Sequence, residues 1–102
     1  MTNEQIEEGN KLILQFLKSE YGSNATVAYH NDWNGLMSAV QIIQASGYRF
    51  YLESNEESVK ARFADMSIPE RIVVEVEDRN SNLSAVWNLC VAFAKWRKSQ
   101  HR

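Results

Sequence analysis

The chain is predicted to be an α+β protein, and three observations carry that reading. Apolar residues recur at helical spacing near both ends, apolar and polar residues alternate between them, and turn-forming residues stand at each change of period. The expected order is α-α-β-β-β-α: a three-stranded antiparallel meander with three helices packed mainly on one face, sandwich-like. A length of 102 residues fits one domain, residues 1–102, built on one core.

Over residues 3–19, Ile6, Leu12, Ile13, Phe16 and Leu17 share one helical face, and Glu7, Glu8, Lys11, Gln15 and Lys18 the other. Thr2 and Gln5 have the spacing of a capping box, and Gly22 supplies a left-handed stop. Gly9 falls on the apolar face, where a missing side chain lets another backbone come close. Residues 25–30, Ala-Thr-Val-Ala-Tyr-His, read as a short strand. Asn31 and Asp32 are N-cap types for a second helix from Trp33 to about Ser46, stopped by Gly47. Leu36, Val40 and Ile43 form its inner stripe, widened by Met37 and Ala39.

Tyr48, Phe50 and Leu52 alternate with Arg49, Tyr51 and Glu53, the period of a half-buried strand. Ser54-Asn55-Glu56-Glu57 is turn chemistry, and Val59, Ala61 and Phe63 then alternate with Lys60 and Arg62, so a hairpin is expected. Pro69 breaks the pattern before a third strand from Arg71 to Glu77. There Ile72, Val74 and Val76 are expected to face the core and Arg71, Val73, Glu75 and Glu77 the solvent.

Asp78-Arg79-Asn80-Ser81 offers an N-cap to a last helix from about Asn82 to Ser99. Its apolar residues, among them Val86, Trp87, Leu89, Cys90, Phe93 and Trp96, cover most of its circumference. Such a helix is buried on more than one side, as the central helix of the fold or beneath another subunit. One core is expected to gather Ile6, Phe16, Leu36, Val40, Ile43, Phe50, Ile72, Val74, Val86 and Phe93.

The totals exclude several classes. Hydrophobic residues at 44% and charged residues at 24% are globular values, and no apolar run approaches the roughly 18 residues of a membrane span. A net charge of −2 gives no electrostatic argument for nucleic acid, although bases crowd the last residues, Lys95, Arg97, Lys98 and Arg102. The acidic start Met-Thr-Asn-Glu-Gln-Ile-Glu-Glu is unlike a signal peptide, and the single cysteine, Cys90, permits no internal disulfide. The expected setting is cytoplasmic.

Chemistry-bearing groups are sparse. His30 and Asp32 could form a base and its orienter only beside a nucleophile or bound substrate, and Asp32 has the stronger claim as a helix cap. No Ser/Cys elbow, HExxH or glycine-rich phosphate loop occurs, so no catalytic residue, metal ligand or cofactor is assigned. Trp87 and Cys90 read as core. Trp96 stands beside Arg97 and Lys98, and an aromatic next to arginine is a common interface anchor; its other reading is the edge of the core.

Residues 29–40 and 83–96 resemble small phage and prophage proteins of unassigned function from Bacteroides-type gut bacteria. The first segment matches at Tyr29, His30, Trp33, Leu36, Met37 and Val40, the second at Ala85, Val86, Trp87, Val91, Phe93, Lys95 and Trp96. Gly35 and Ser38 depart from the family pattern, which often has an aromatic and a proline at those places. The resemblance implies an alpha-beta sandwich and a phage origin in a bacterial host cell, and it carries no known activity.

The expected function is a non-enzymatic interaction module, a self-associating accessory protein, a homodimer that binds an unidentified host or phage macromolecule. Candidate contact residues are Trp96, Arg97, Lys98, Tyr29, His30 and Trp33. Two alternatives stand beside it: a small-molecule binder or minor enzyme using Tyr29 and His30, and a weak nucleic-acid binder using the basic C-terminus.

Overall fold

A computed structural model describes residues 2–22, 29–67 and 69–100. The elements are α1 (Asn3–Tyr21), α2 (Trp33–Ala45), β1 (Tyr48–Ser54), β2 (Val59–Asp65), β3 (Arg71–Asp78) and α3 (Asn82–Gln100), an α+β arrangement in the predicted order. Of the expected strand at 25–30, residues 25–28 lie outside the described residues, and Tyr29 and His30 form a turn.

Local chemistry sets the ends of the helices. Thr2 Oγ1 accepts from the Gln5 N–H at 3.2 Å and Gln5 Oε1 from the Thr2 N–H at 2.9 Å, the reciprocal bonds of a capping box. Gly22, at φ +67°, turns the chain out of α1, and its N–H donates to the Lys18 carbonyl at 3.0 Å. Asp32 Oδ1 caps α2 by accepting from the Gly35 N–H at 3.0 Å. Ser81 Oγ does the same for α3 through the Ser84 N–H, also at 3.0 Å.

Asp78 fastens the end of β3 to that helix start. Its Oδ2 accepts from Ser84 Oγ at 2.7 Å and Asn88 Nδ2 at 3.1 Å. Burial opposes ionisation there, but hydrogen bonds from Ser84, Asn80 and Asn88 prevail and hold the carboxyl below its ordinary value.

The sheet has the order β1-β2-β3 with antiparallel neighbours. The β1–β2 register is unbroken from Tyr48↔Asp65 to Ser54↔Val59. Between β2 and β3 it slips: Phe63 faces Val74 and Ala64 faces Ile72, so Val73 is an extra residue, a β-bulge. The bulge overturns one expectation. An extra residue reverses the period-2 alternation, so Ile72 turns to the outer face and is 48% exposed, while Val73 joins Val74 and Val76 against the core.

The helices lie on the other side of the sheet, α2 and α3 against the strands and α1 on α3 and α2. α3 lies across β2 and β3, with α1 against it and α2 beside it over β1. Its apolar circumference is therefore internal: Ala85, Val86, Trp87, Leu89, Cys90, Phe93 and Ala94 are buried. One core gathers these with Ile13, Phe16, Leu17, Leu36, Val40, Ile43 and Phe63, and Ile6 is only half-buried. Gly9 admits the indole of Trp87 where a neighbouring backbone was expected; a Cβ there would stand 2.3 Å from Trp87 Cζ2.

Burial pushes the Cys90 thiol up to about 12 from an ordinary 9.0. The folded state thus keeps a neutral thiol that the unfolded chain would ionise. Its contribution to stability is full below pH 9.0 and is lost as pH rises toward about 12. We expect Cys90 to resist an aromatic disulfide reagent at neutral pH until the chain unfolds. Rapid labelling of the native protein would contradict the placement.

Candidate interaction surface

The segment from Tyr29 to Trp33 resolves into four different placements. Tyr29 is 2% exposed and belongs to the core, and its burial raises the phenol above its ordinary value. Asp32 is the α2 cap. Trp33, the first residue of α2, is 40% exposed. His30 is half-buried, and its Nδ1 lies 2.9 Å from Asn10 Nδ2.

Asn10 joins that histidine to the far end of the sequence. The indole Nε1–H of Trp87 donates to Asn10 Oδ1 at 2.8 Å. An indole only donates, so the Asn10 amide nitrogen points at His30 and makes Nδ1 the acceptor, which places the ring hydrogen on Nε2. His30 and Asp32 are consequently not paired as base and orienter; each serves a separate structural bond. Sequence reading passed over Asn10. The available signal was a polar residue four after Ile6 and three before Ile13, on the apolar face of α1.

Asn10→Leu should cost about 1 kcal/mol, the lower end for unpaired polar groups because the site is half-buried. It leaves both the Trp87 N–H and His30 Nδ1 without a protein partner. Asn10→Asp keeps an acceptor for Trp87 and should retain more stability. Urea denaturation followed by tryptophan fluorescence checks both, and equal midpoints for all three proteins would contradict the bond.

The second candidate region lies where β1 begins, β2 ends and β3 begins. Tyr48, Asp65 and Arg71 are aligned across the sheet. The C-terminal turn of α3 reaches the same place. Trp96 meets the Tyr48 ring edge-on at 6.1 Å and lies tilted against Phe93 at 5.6 Å, and Arg97 Nη1 donates to the Tyr48 hydroxyl at 3.5 Å. Trp96 is therefore half-buried at the edge of the core. Lys98 is exposed, and so is Met66 in the β2–β3 turn, at 55%.

Helix direction polarises the molecule. Gly9 meets Trp87 and Phe16 meets Phe93, so α1 and α3 run the same way, and α2 ends where β1 begins. Lys18, Arg49, Arg71, Arg97 and Lys98 collect at the C-terminal end of these helices, with Asp65 and Glu70 among them. Glu4, Glu7 and Glu8 collect at the other end with Glu53, Glu56, Glu57, Glu77 and Asp78, with Lys60 and Arg79 among them. A polar groove of about 260 Å³ there brings the β1–β2 turn against the start of α3. Each side-chain cluster opposes the helix-dipole charge at its end.

Across the outer face of the sheet, charges pair between strands. Arg62 Nη2 bonds Glu53 Oε1 at 2.7 Å, and its Nε lies 3.6 Å from Glu75, an ion pair too long for a hydrogen bond. Lys60 lies 3.7 Å from Glu77, and Arg62 stands 5.7 Å from the Tyr51 ring centre. The exposed Lys60–Glu77 pair is worth about 0–1 kcal/mol, and Arg62 is half-buried with its Nε buried and lacking a hydrogen-bond partner, so these pairs organise the face more than they stabilise it.

Among the described residues no helix is long and apolar enough to cross a membrane, and no cluster of three or more His, Cys, Asp or Glu residues could hold a metal ion. No family model matches the chain, and neither a curated protein nor a solved structure does.

Proposed function

We propose that the chain is a non-enzymatic interaction module, a self-associating accessory protein of phage type acting in the bacterial cytoplasm. It docks an acidic surface of a host or phage protein through its basic end. The observation that carries this reading is the gathering of Arg71, Lys98 and Arg97 beside exposed Met66 and half-buried Trp96. Cations around an apolar and aromatic centre suit an acidic protein partner with an apolar contact at its middle. The phage origin rests on the resemblance at residues 29–40 and 83–96.

The test is capture from nuclease-treated host lysate, with the wild-type chain and an Arg71→Glu/Lys98→Glu variant of unchanged circular dichroism. An acidic protein retained by the wild type and lost by the variant is expected, with retention weakening as salt is raised. Retention that ignores the charge reversal would defeat the reading. Nucleic acid captured without nuclease treatment, and no protein afterwards, would favour the basic-tail alternative.

A further inference from the structure

We infer that β1 is a dimerisation strand. The chain pairs with a second copy of itself, β1 against β1 and antiparallel, about a two-fold axis at Tyr51. This deepens the self-association in the proposed function and shares only the start of β1, Tyr48 and Arg49, with the basic end, leaving Arg71, Arg97 and Lys98 aside. Its experiment reads mass alone, so loss of the dimer and loss of the acidic partner are separable outcomes.

β1 is an edge strand, and its register with β2 holds over all seven residues without a bulge. An edge of that kind is a template for another strand. β3, the other edge, is broken by its bulge. An axis at Tyr51 uses the whole of β1: Tyr48 faces Ser54 of the second copy, Arg49 faces Glu53, and Phe50 faces Leu52.

Charge selects this register. On the outer face one cross-strand row reads Glu77, Lys60, Glu53, and ends at the free edge on an acid. Another reads Ile72, Ala64, Arg49, and ends on a base. The two-fold axis sets each Glu53 opposite Arg49 of the other copy, so the alternation of sign continues across the junction. Both side chains are exposed, Arg49 at 57% and Glu53 at 65%, and each would meet its new partner beside the one it already has, Glu70 at 3.5 Å and Arg62 at 2.7 Å. Moving the axis one residue either way separates them, leaving Arg49 opposite Tyr51 or Asn55. Phe50 and Leu52, partly buried at the margin of the core, then cover one another on the inner face.

Sedimentation equilibrium of the full chain should give twice 11.8 kDa at micromolar concentration. Arg49→Glu and Glu53→Arg should each weaken the dimer roughly ten-fold or more, because like charges then stand directly opposite. The double exchange Arg49→Glu/Glu53→Arg should restore it. Tyr51→Cys in oxidised glutathione should trap a disulfide-linked dimer while buried Cys90 stays unreacted, and Arg71→Cys on the other edge should not. The trapping decides the matter if a charge variant fails to fold. A single-chain mass throughout, a dimer indifferent to both reversals, or trapping at Arg71→Cys in preference to Tyr51→Cys would each overturn the inference.

Discussion

Phe93→Ala should destabilise the chain by about 3–5 kcal/mol, the range for removing a fully buried phenylalanine. Phe93 has no exposed surface and is where the aromatic part of the core converges. Its ring meets Phe16 edge-on at 5.4 Å and Tyr48 at 4.9 Å, and it lies tilted against Phe63 at 5.1 Å and Trp96 at 5.6 Å. Those partners belong to α1, β1, β2 and α3, so deletion opens a cavity that no single element can close by moving. Val74→Ala, at a half-buried site on the edge strand, should cost clearly less. Urea denaturation of both variants checks the ranking, and a Phe93→Ala midpoint close to wild type would mean that the core closes around the gap.

Gly9→Ala should cost about 2 kcal/mol net, although alanine is the better helix former by about 1 kcal/mol. The added Cβ would stand 2.3 Å from Trp87 Cζ2, 2.5 Å from Cη2 and 3.1 Å from Val91 Cγ2. Something must shift, and the indole is poorly placed to do so, being 3% exposed and tied to Asn10 by its Nε1–H. Trp87→Phe removes the clashing part of the ring. A double-mutant cycle should therefore give Gly9→Ala/Trp87→Phe less than the sum of the two single losses. Additive losses would place the strain elsewhere.

Much of the fold was legible because its signals are local. The Thr2–Gln5 capping box, Asp32 before α2, Gly22 and Gly47 after the first two helices, and the alternation in β1 and β2 all act over a few residues. The bulge was not legible. Val73 and Ile72 are both apolar and β-branched, so either could occupy the inner face, and the choice depends on the slip against Phe63 and Ala64. Nor could local pattern find the Asn10 bond, whose partner is 77 positions away. Trp96 illustrates a third limit. Its position beside Arg97 and Lys98 fits a surface anchor, yet the Tyr48 and Phe93 rings that half-cover it come from pairings that only the assembled fold creates.

The packing of α1 on α3 also has a consequence for synthesis on the ribosome. α1 finds its main partner only in α3, and residues 22–81 separate them. At about 5–20 residues per second, those residues take on the order of 3–12 seconds to make. Throughout that time Ile13, Phe16 and Leu17 lack the helix that covers them, while the β1–β2–β3 meander, joined by short turns, can already assemble. The nascent chain therefore carries an amphipathic helix in waiting, open to a chaperone or a neighbouring chain, and what keeps it in solution is its row of Glu7, Glu8, Lys11 and Lys18.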